Sequence, residues 1–246
     1  MMRWQDLLRV FVRSFSIQAL WNPEGLQNGG FLYVISPALN RLYPEREEKK
    51  RAYIRHLESF NTHPYMANLI IGYTISKEEQ VKRGGGKEGE ISSIKRGMFG
   101  PLAVIGDTLF WAGLRPLLAL LASILAIYGS VLGGVIFLIL YNLIHIPTRF
   151  LGLISGYRLG DGVVRWIKRL QFKRISWHLK VSQVVVCGLG GGSFVCIDSE
   201  SSPLLVPLYL SLGVLFVLGI RRGISPKVLF FSIIGICILV SSLLGG

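Results

Sequence analysis

The chain has 246 residues, 51% apolar and only 17% charged, with 27 Lys and Arg against 14 Asp and Glu. Soluble domains carry roughly a quarter of their residues as charges, and three cysteines (Cys187, Cys196, Cys237), all in apolar stretches, make neither a disulfide framework nor a metal site with usable spacing. The formal charge of +13 is sorted by segment between uncharged runs and not gathered on one folded face as nucleic-acid binding requires, which leaves an all-α integral membrane protein.

The two halves differ. Residues 1–97 hold 15 basic and 10 acidic groups among short apolar stretches, and residues 98–246 hold 12 basic and 4 acidic groups between long ones. The first half reads as an amphipathic, interfacial and re-entrant part, and the second as the membrane part. No cleavable signal peptide is expected, because the opening residues lack a continuous apolar core and a small-residue cleavage site.

At the start, Trp4, Leu7, Leu8, Phe11 and Phe15 recur at helical spacing, with Arg3, Arg9 and Arg13 elsewhere on the turn. This predicts a helix lying in the membrane interface or packed on a protein partner. The half-length apolar pieces Phe31–Ile35 and Met66–Ser76 can enter a membrane only where protein or a water-filled cavity shields their backbone ends. Between them Glu45–Arg55 reads as a solvated helix, with Glu47 and Lys50 or Arg51 at pairing distance.

His56-Leu57-Glu58-Ser59-Phe60-Asn61-Thr62-His63-Pro64 is the densest polar cluster. Its donors and acceptors match sugar hydroxyls, and Pro64 predicts a stop or kink. The same residues could cap a helix. On a continuous helix His56 and His63 would also share a face as metal ligands, although zinc motifs space histidines at i and i+4. Residues 82–90 read as a mobile linker. Val81 and Glu88 break the phosphate-loop pattern that Gly84-Gly85-Gly86-Lys87 suggests.

Asp107, in the apolar run Gly97–Trp111, is costly to bury and therefore a functional candidate. It calls for a partner such as Arg115 or a polar group from elsewhere, or it N-caps a helix running through Trp111. Membrane helices are predicted near 98–115 (re-entrant or spanning), 116–142, 181–197, 203–220 and 228–244. The second of these is uncharged over 27 positions, long enough to cross a hydrocarbon core about 30 Å thick. Residues 149–180, with eight basic side chains against Asp161 alone, and the basic turn 221–227 are expected in the cytoplasm, with the acidic turn 198–202 and the C-terminus outside. Gly188 to Gly192 sit where small residues let membrane helices approach. No Ser-His-Asp order, nucleophile elbow or kinase loop is present, so the chain has no catalytic residue of its own and calls for no cofactor or metal.

Several ordered motifs carry a resemblance. Arg13-Ser14-Phe15-Ser16-Ile17-Gln18 with Trp21-Asn22, Gly30-Phe31-Leu32-Tyr33, Pro37, Leu42-Tyr43, Arg55-His56-Leu57-Glu58, Phe60 to Met66, Gly100-Pro101-Leu102-Ala103 and Ile105-Gly106-Asp107 together resemble the IID component of the mannose/fructose/sorbose phosphotransferase systems. Gly156 to Gly160 is similar to a further family element.

The resemblance implies a bacterial inner-membrane, multi-pass subunit. With a IIC subunit it would form the translocation path for a mannose-type hexose, which the cytoplasmic IIA and IIB phosphocarriers phosphorylate during uptake. It also makes Glu58, Asn61, Thr62, His63 and Asp107 candidates for lining or gating the sugar path, and Gln18, Trp21 and Asn22 a weaker structural or gating group. The sequence departs from the family pattern at three places. Ser59 stands where an aromatic is expected, Val104 where Gly is expected, and Ser76-Lys77 precedes Glu78-Glu79 where an Ala-Met pair is usual. Two other function classes are a membrane scaffold or regulatory descendant that no longer moves sugar, and a metal-dependent membrane hydrolase, which would require a stoichiometric metal.

Overall fold

The computed structural model describes residues 2–163, 165, 167 and 171–199, with side chains as far as Cys187, and isolated positions between 211 and 235. The chain divides into compact units, Met1–Val186 and Cys187–Gly246. The described residues of the first unit form helices, with two isolated backbone bridges, Asn22 to Leu26 and Leu26 to Phe60.

Helix α1 (Trp4–Ser14) has Asp6 in its first turn and Arg13 in its last, charges that complement the helix dipole. Its apolar stripe is shared out: Leu7 and Val10 are buried and Trp4 and Leu8 exposed. Trp4 and Phe11 meet Phe150 edge-on at 5.8 and 5.4 Å, so α1 packs partly on its own chain. Helix α2 (Asn28–Leu42) contains the first half-length apolar piece, and α3 (Arg46–His56) is the charged helix. There Glu48, rather than Glu47, makes the ion pair, and its partner is Lys82 of α4, 2.5 Å away.

Helix α4 (Ala67–Lys82) is buried along most of its 16 residues. At about 1.5 Å per residue it spans ~24 Å, short of a bilayer core. It ends in a Schellman turn: Gly84, at φ +79°, donates to Val81 O, and Gly85 donates to Gln80 O. That turn leads directly into α5 (Glu88–Gly106), so of the expected linker only residues 83–87 lie outside helices.

Helix α5 continues through a π-helical segment (Asp107–Leu114) into α6 (Arg115–Ile127), and the expected element at 98–115 lies inside this one long helix. The uncharged run 116–142 is divided. Gly129, at φ +76°, donates to Ala126 O and Ser130 donates to Leu125 O, the Schellman bond pair, and α7 (Leu132–Leu159) returns from there. Glu88–Ile127 and Leu132–Gly162 are long and apolar enough to cross a membrane.

Helices α4 and α7 run parallel with their backbones in contact. A Cβ on Gly72 would collide with the Leu153 carbonyl oxygen, and one on Gly156 with that of Leu69. Gly152 and Gly156 thus supply the small-residue spacing of close membrane-helix packing. The expected loop at 149–180 is largely helical, since 149–159 belong to α7 and α8 (Phe172–Ser199) begins at Phe172. Arg149 is 4% exposed, held in the interior by a hydrogen bond from Nη1 to Ser14 O at 2.8 Å. The expected span 181–197 lies within α8, where Cys187 is exposed. Those at 203–220 and 228–244, with Cys237 and the topology of the C-terminus, lie outside the described residues apart from isolated positions.

Candidate functional site on a π-helical segment

Between α3 and α4 the polar cluster forms an irregular loop laid along α5. Two connections hold it. Gln27 mimics a strand, donating from Nε2 to Thr62 O at 2.9 Å and accepting from Thr62 N at 3.1 Å. The Asn22–Gln27 turn also exchanges backbone bonds with Phe60, Gln27 N to Phe60 O at 2.8 Å and Phe60 N to Gly25 O at 3.2 Å. This turn contains Leu26 at φ +60°, a left-handed conformation unfavourable for a branched residue.

Thr62 is buried and donates from Oγ1 to Phe99 O at 2.8 Å. His63 is 2% exposed, stacked on Phe110 at 5.4 Å and tilted against Trp111 at 4.9 Å. Its Nδ1 accepts from Tyr65 N at 3.2 Å, and its Nε2 is buried without a hydrogen-bond partner among the described residues. Burial, then the nearby Arg149 charge, pushes the imidazole down to about 4, so His63 is neutral and its Nε2 available for one polar contact.

The π-helical segment has a local cause. Pro116 has no N–H to give to the preceding turn, and Gln183 of α8 supplies the missing donor, from Nε2 to Ala112 O at 2.8 Å and to Gly113 O at 2.5 Å. Such segments are rare and concentrate at functional sites. Asp107 opens this one at φ −59°, ψ −44°. It is therefore a mid-helix residue, and the N-cap reading is incorrect because helix precedes it as well as follows it. Its side chain is exposed, with no ion pair to Arg115.

The structure brings Thr62 and His63 together against α5 and leaves Asn61 exposed at the loop surface. Glu58 is half-buried and 3.8 Å from Arg96. Gln18 and Trp21 are exposed, whereas Asn22 shapes its turn, with Oδ1 accepting from Gly25 N at 2.7 Å and Nδ2 donating to Asn28 Oδ1 at 2.9 Å. His56 and His63 lie on no common helix face, since α3 ends at His56. Among the described residues no three His, Cys, Asp or Glu side chains converge as metal ligands.

Glu78 is the residue that sequence reasoning missed, having named it only as following the departing pair Ser76-Lys77. Fully buried, it accepts from Tyr43 Oη at 2.6 Å, from Arg55 Nε at 3.1 Å and Nη2 at 2.9 Å, and from His56 Nε2 at 2.7 Å. Burial raises the carboxyl, but the hydrogen bonds from His56, Arg55 and Tyr43 outweigh it and hold Glu78 at about 2. Burial lowers His56, which stays neutral. The sequence signal was the Glu78-Glu79 pair directly after the apolar piece Met66–Ser76.

Residues 2–245 match the PTS system mannose/fructose/sorbose family IID component. The chain belongs to this family. It is 44% identical over 162 residues to the mannose-specific EIID component of Escherichia coli K12, covering 65% of this chain and 57% of that one. It is 30% identical over 255 residues to the sorbose-specific EIID component of Lacticaseibacillus casei, covering 94% and 90%. A chain in the cryo-EM structure of the mannose transporter ManYZ with microcin E492 is similar over 96% of both chains, with a TM-score of 0.64 and 33% identity. A second solved membrane protein is similar at a TM-score of 0.75 over the same share.

The match spans 57% of the length of the Escherichia coli relative. As a IID component the chain is a membrane protein. Its departures from the family pattern fall in unlike places. Ser59 is exposed and Val104 is 66% exposed, with no backbone packed on it that a branched side chain would displace. Of the pair Ser76-Lys77, Lys77 is buried and donates from Nζ to Asp161 Oδ2 at 2.8 Å.

Proposed function

We propose that this IID chain is a multi-pass subunit of a phosphoenolpyruvate-dependent sugar permease in the bacterial inner membrane. With a IIC subunit it forms the translocation path for a mannose-type hexose, phosphorylated on entry by IIA and IIB. The likeness to a mannose-transporter chain over 96% of both chains carries this reading. The parallel packing of α4 and α7 supports it. Their carboxyl ends share one side, joined by Lys77 Nζ to Asp161 Oδ2 at 2.8 Å, so the basic end of α7 and the charged α3 face the cytoplasm, where phosphate donors work.

In this reading Asn61 and Asp107 contact the sugar path, and Thr62 and His63 build the wall behind them. Glu58 holds the loop, and the turn from Gln18 through Trp21 to Asn22 supports it from outside. With IIA, IIB and IIC co-expressed in cells lacking their own mannose permease, phosphoenolpyruvate-dependent accumulation of labelled mannose should appear. It should fall at least tenfold in His63→Ala and Asp107→Asn while the complex still assembles. Normal uptake in both assembled variants would discard the site assignment, and no uptake with the unaltered chain would discard the permease reading.

A further inference from the structure

Along the helix Glu88–Ile127 one exposed line runs through Gly97, Gly100, Val104, Asp107, Trp111 and Arg115, in steps of three and four residues. Gly97 and Gly100 face open space, with nothing within 4 Å of where a Cβ would stand. Val104 is 66% and Trp111 46% exposed, and Asp107 and Arg115 are exposed. On the other side of the same turns Gly113 is buried under Leu179 of α8, whose Cδ1 would lie 2.9 Å from an added Cβ. Residues 172–186 of α8 thus leave this line uncovered.

Neither Asp107 nor Arg115 has an ion pair or side-chain hydrogen bond among the described residues. They are eight positions apart, more than two turns, so they cannot pair with each other. The 13 residues of α6 put Arg115 ~20 Å below the Tyr128–Val131 turn. With that turn at the membrane interface, Arg115 lies inside a core about 30 Å thick and Asp107 near its far edge. Charged side chains at such depth face protein or water, not lipid.

We infer that this line is the docking face for a membrane chain different from this one, which offers a basic group at the depth of Asp107 and an acidic group at the depth of Arg115. A second copy does not fit. A two-fold axis along the membrane normal makes an interface self-complementary, bringing Asp107 against Asp107 and Arg115 against Arg115, and like charges so placed repel. Gly97 and Gly100 let a partner helix approach closely, and Trp111 is a large anchor between the two charges. The inference rests on the permease reading and deepens it. The second chain is the IIC subunit, and the polar hexose path follows the seam along Asp107 and not the packed interior around His63.

The test uses the complex co-expressed with its IIC chain, with p-benzoylphenylalanine in place of Trp111 or, as a control, of Ile139, which is 59% exposed on α7. Irradiation should give a IIC–IID adduct from position 111 at least tenfold above that from 139. Asp107→Lys should lower recovered IIC at least tenfold and the isosteric Asp107→Asn should leave it within about twofold, with the IID chain itself still eluting as a single species. Co-purification of IIC with adducts at 111 only to lipid, to a second IID copy or to residues 200–246 overturns the docking face and leaves the permease reading standing. Failure of the unaltered chain to co-purify with IIC overturns both.

Discussion

Gly106 lies against the His63 imidazole so closely that a Cβ there would collide with its Cβ and Cγ and stand 2.7 Å from Nδ1. The contact is with the root of the side chain, so the ring cannot swing away and the loop must move. Gly106→Ala should lose about 1–3 kcal/mol through overpacking, read as the thermal midpoint of the detergent-solubilised chain. In the His63→Gly background, which removes the Cβ as well as the ring, the same change should be nearly neutral; equal losses in both backgrounds would show that the two residues are not coupled.

Glu78 makes stability pH-dependent in a definite direction. Its folded carboxyl protonates near 2 instead of 4.5, so its contribution is complete above about 4.5 and is lost as pH falls towards 2. His56 is held neutral below its ordinary 6.5, and unfolded chains take up that proton first, so stability also declines as pH falls below about 6.5. Glu78→Gln should flatten the part of the profile below pH 4.5. It should also lower stability by about 1–3 kcal/mol, because three buried donors lose a charged acceptor while Arg55 keeps its other partner, Glu88, at 2.6 Å. Denaturant titrations from pH 7 to 3 check both statements.

The contact between α4 and α7 predicts contrasting alanine effects. Gly156→Ala places a methyl against the Leu69 carbonyl and should cost about 3 kcal/mol or prevent folding. Gly100→Ala, where a Cβ meets nothing within 4 Å, should leave the thermal midpoint within about 1 °C or raise it slightly through helix propensity.

Gln183 substitutes for the donor that Pro116 lacks. Gln183→Leu should cost about 1–3 kcal/mol by orphaning the Ala112 and Gly113 carbonyls, and Gln183→Glu should cost more, since a carboxylate would face two carbonyl oxygens. Faster amide hydrogen exchange across Asp107–Leu114, with exchange in α2 unchanged, would locate the damage. Uniform acceleration would contradict a local role.

Much of the fold is readable where local chemistry decides it. The charged α3, the apolar α4 and the helical spacing of α1 are all visible in residue order. The run 116–142 reads as one span because hydropathy carries no information about turns, although Tyr128-Gly129-Ser130 contains the glycine that a left-handed cap requires. A charge count places Arg149 in a cytoplasmic loop because it treats every arginine alike. Its place in the interior depends on Ser14, 135 positions away, and on the Phe15 and Tyr65 rings, 5.0 and 4.8 Å from its guanidinium.

Residue order alone determined that this chain is a helical membrane protein and, through ordered motifs, that it is a IID component, because apolar run length, charge sorting and motif order are properties of the chain itself. The meeting of His63 with Gly106, the closure of three polar side chains on Glu78 and the π-helical segment held by Gln183 were decided only in three dimensions. Each joins residues at least 22 positions apart, and such contacts form only when helices pack. The exposed Asp107 combines the two: its cost in an apolar run is legible locally, but the absence of a partner within the described fold is what points outward to a second chain.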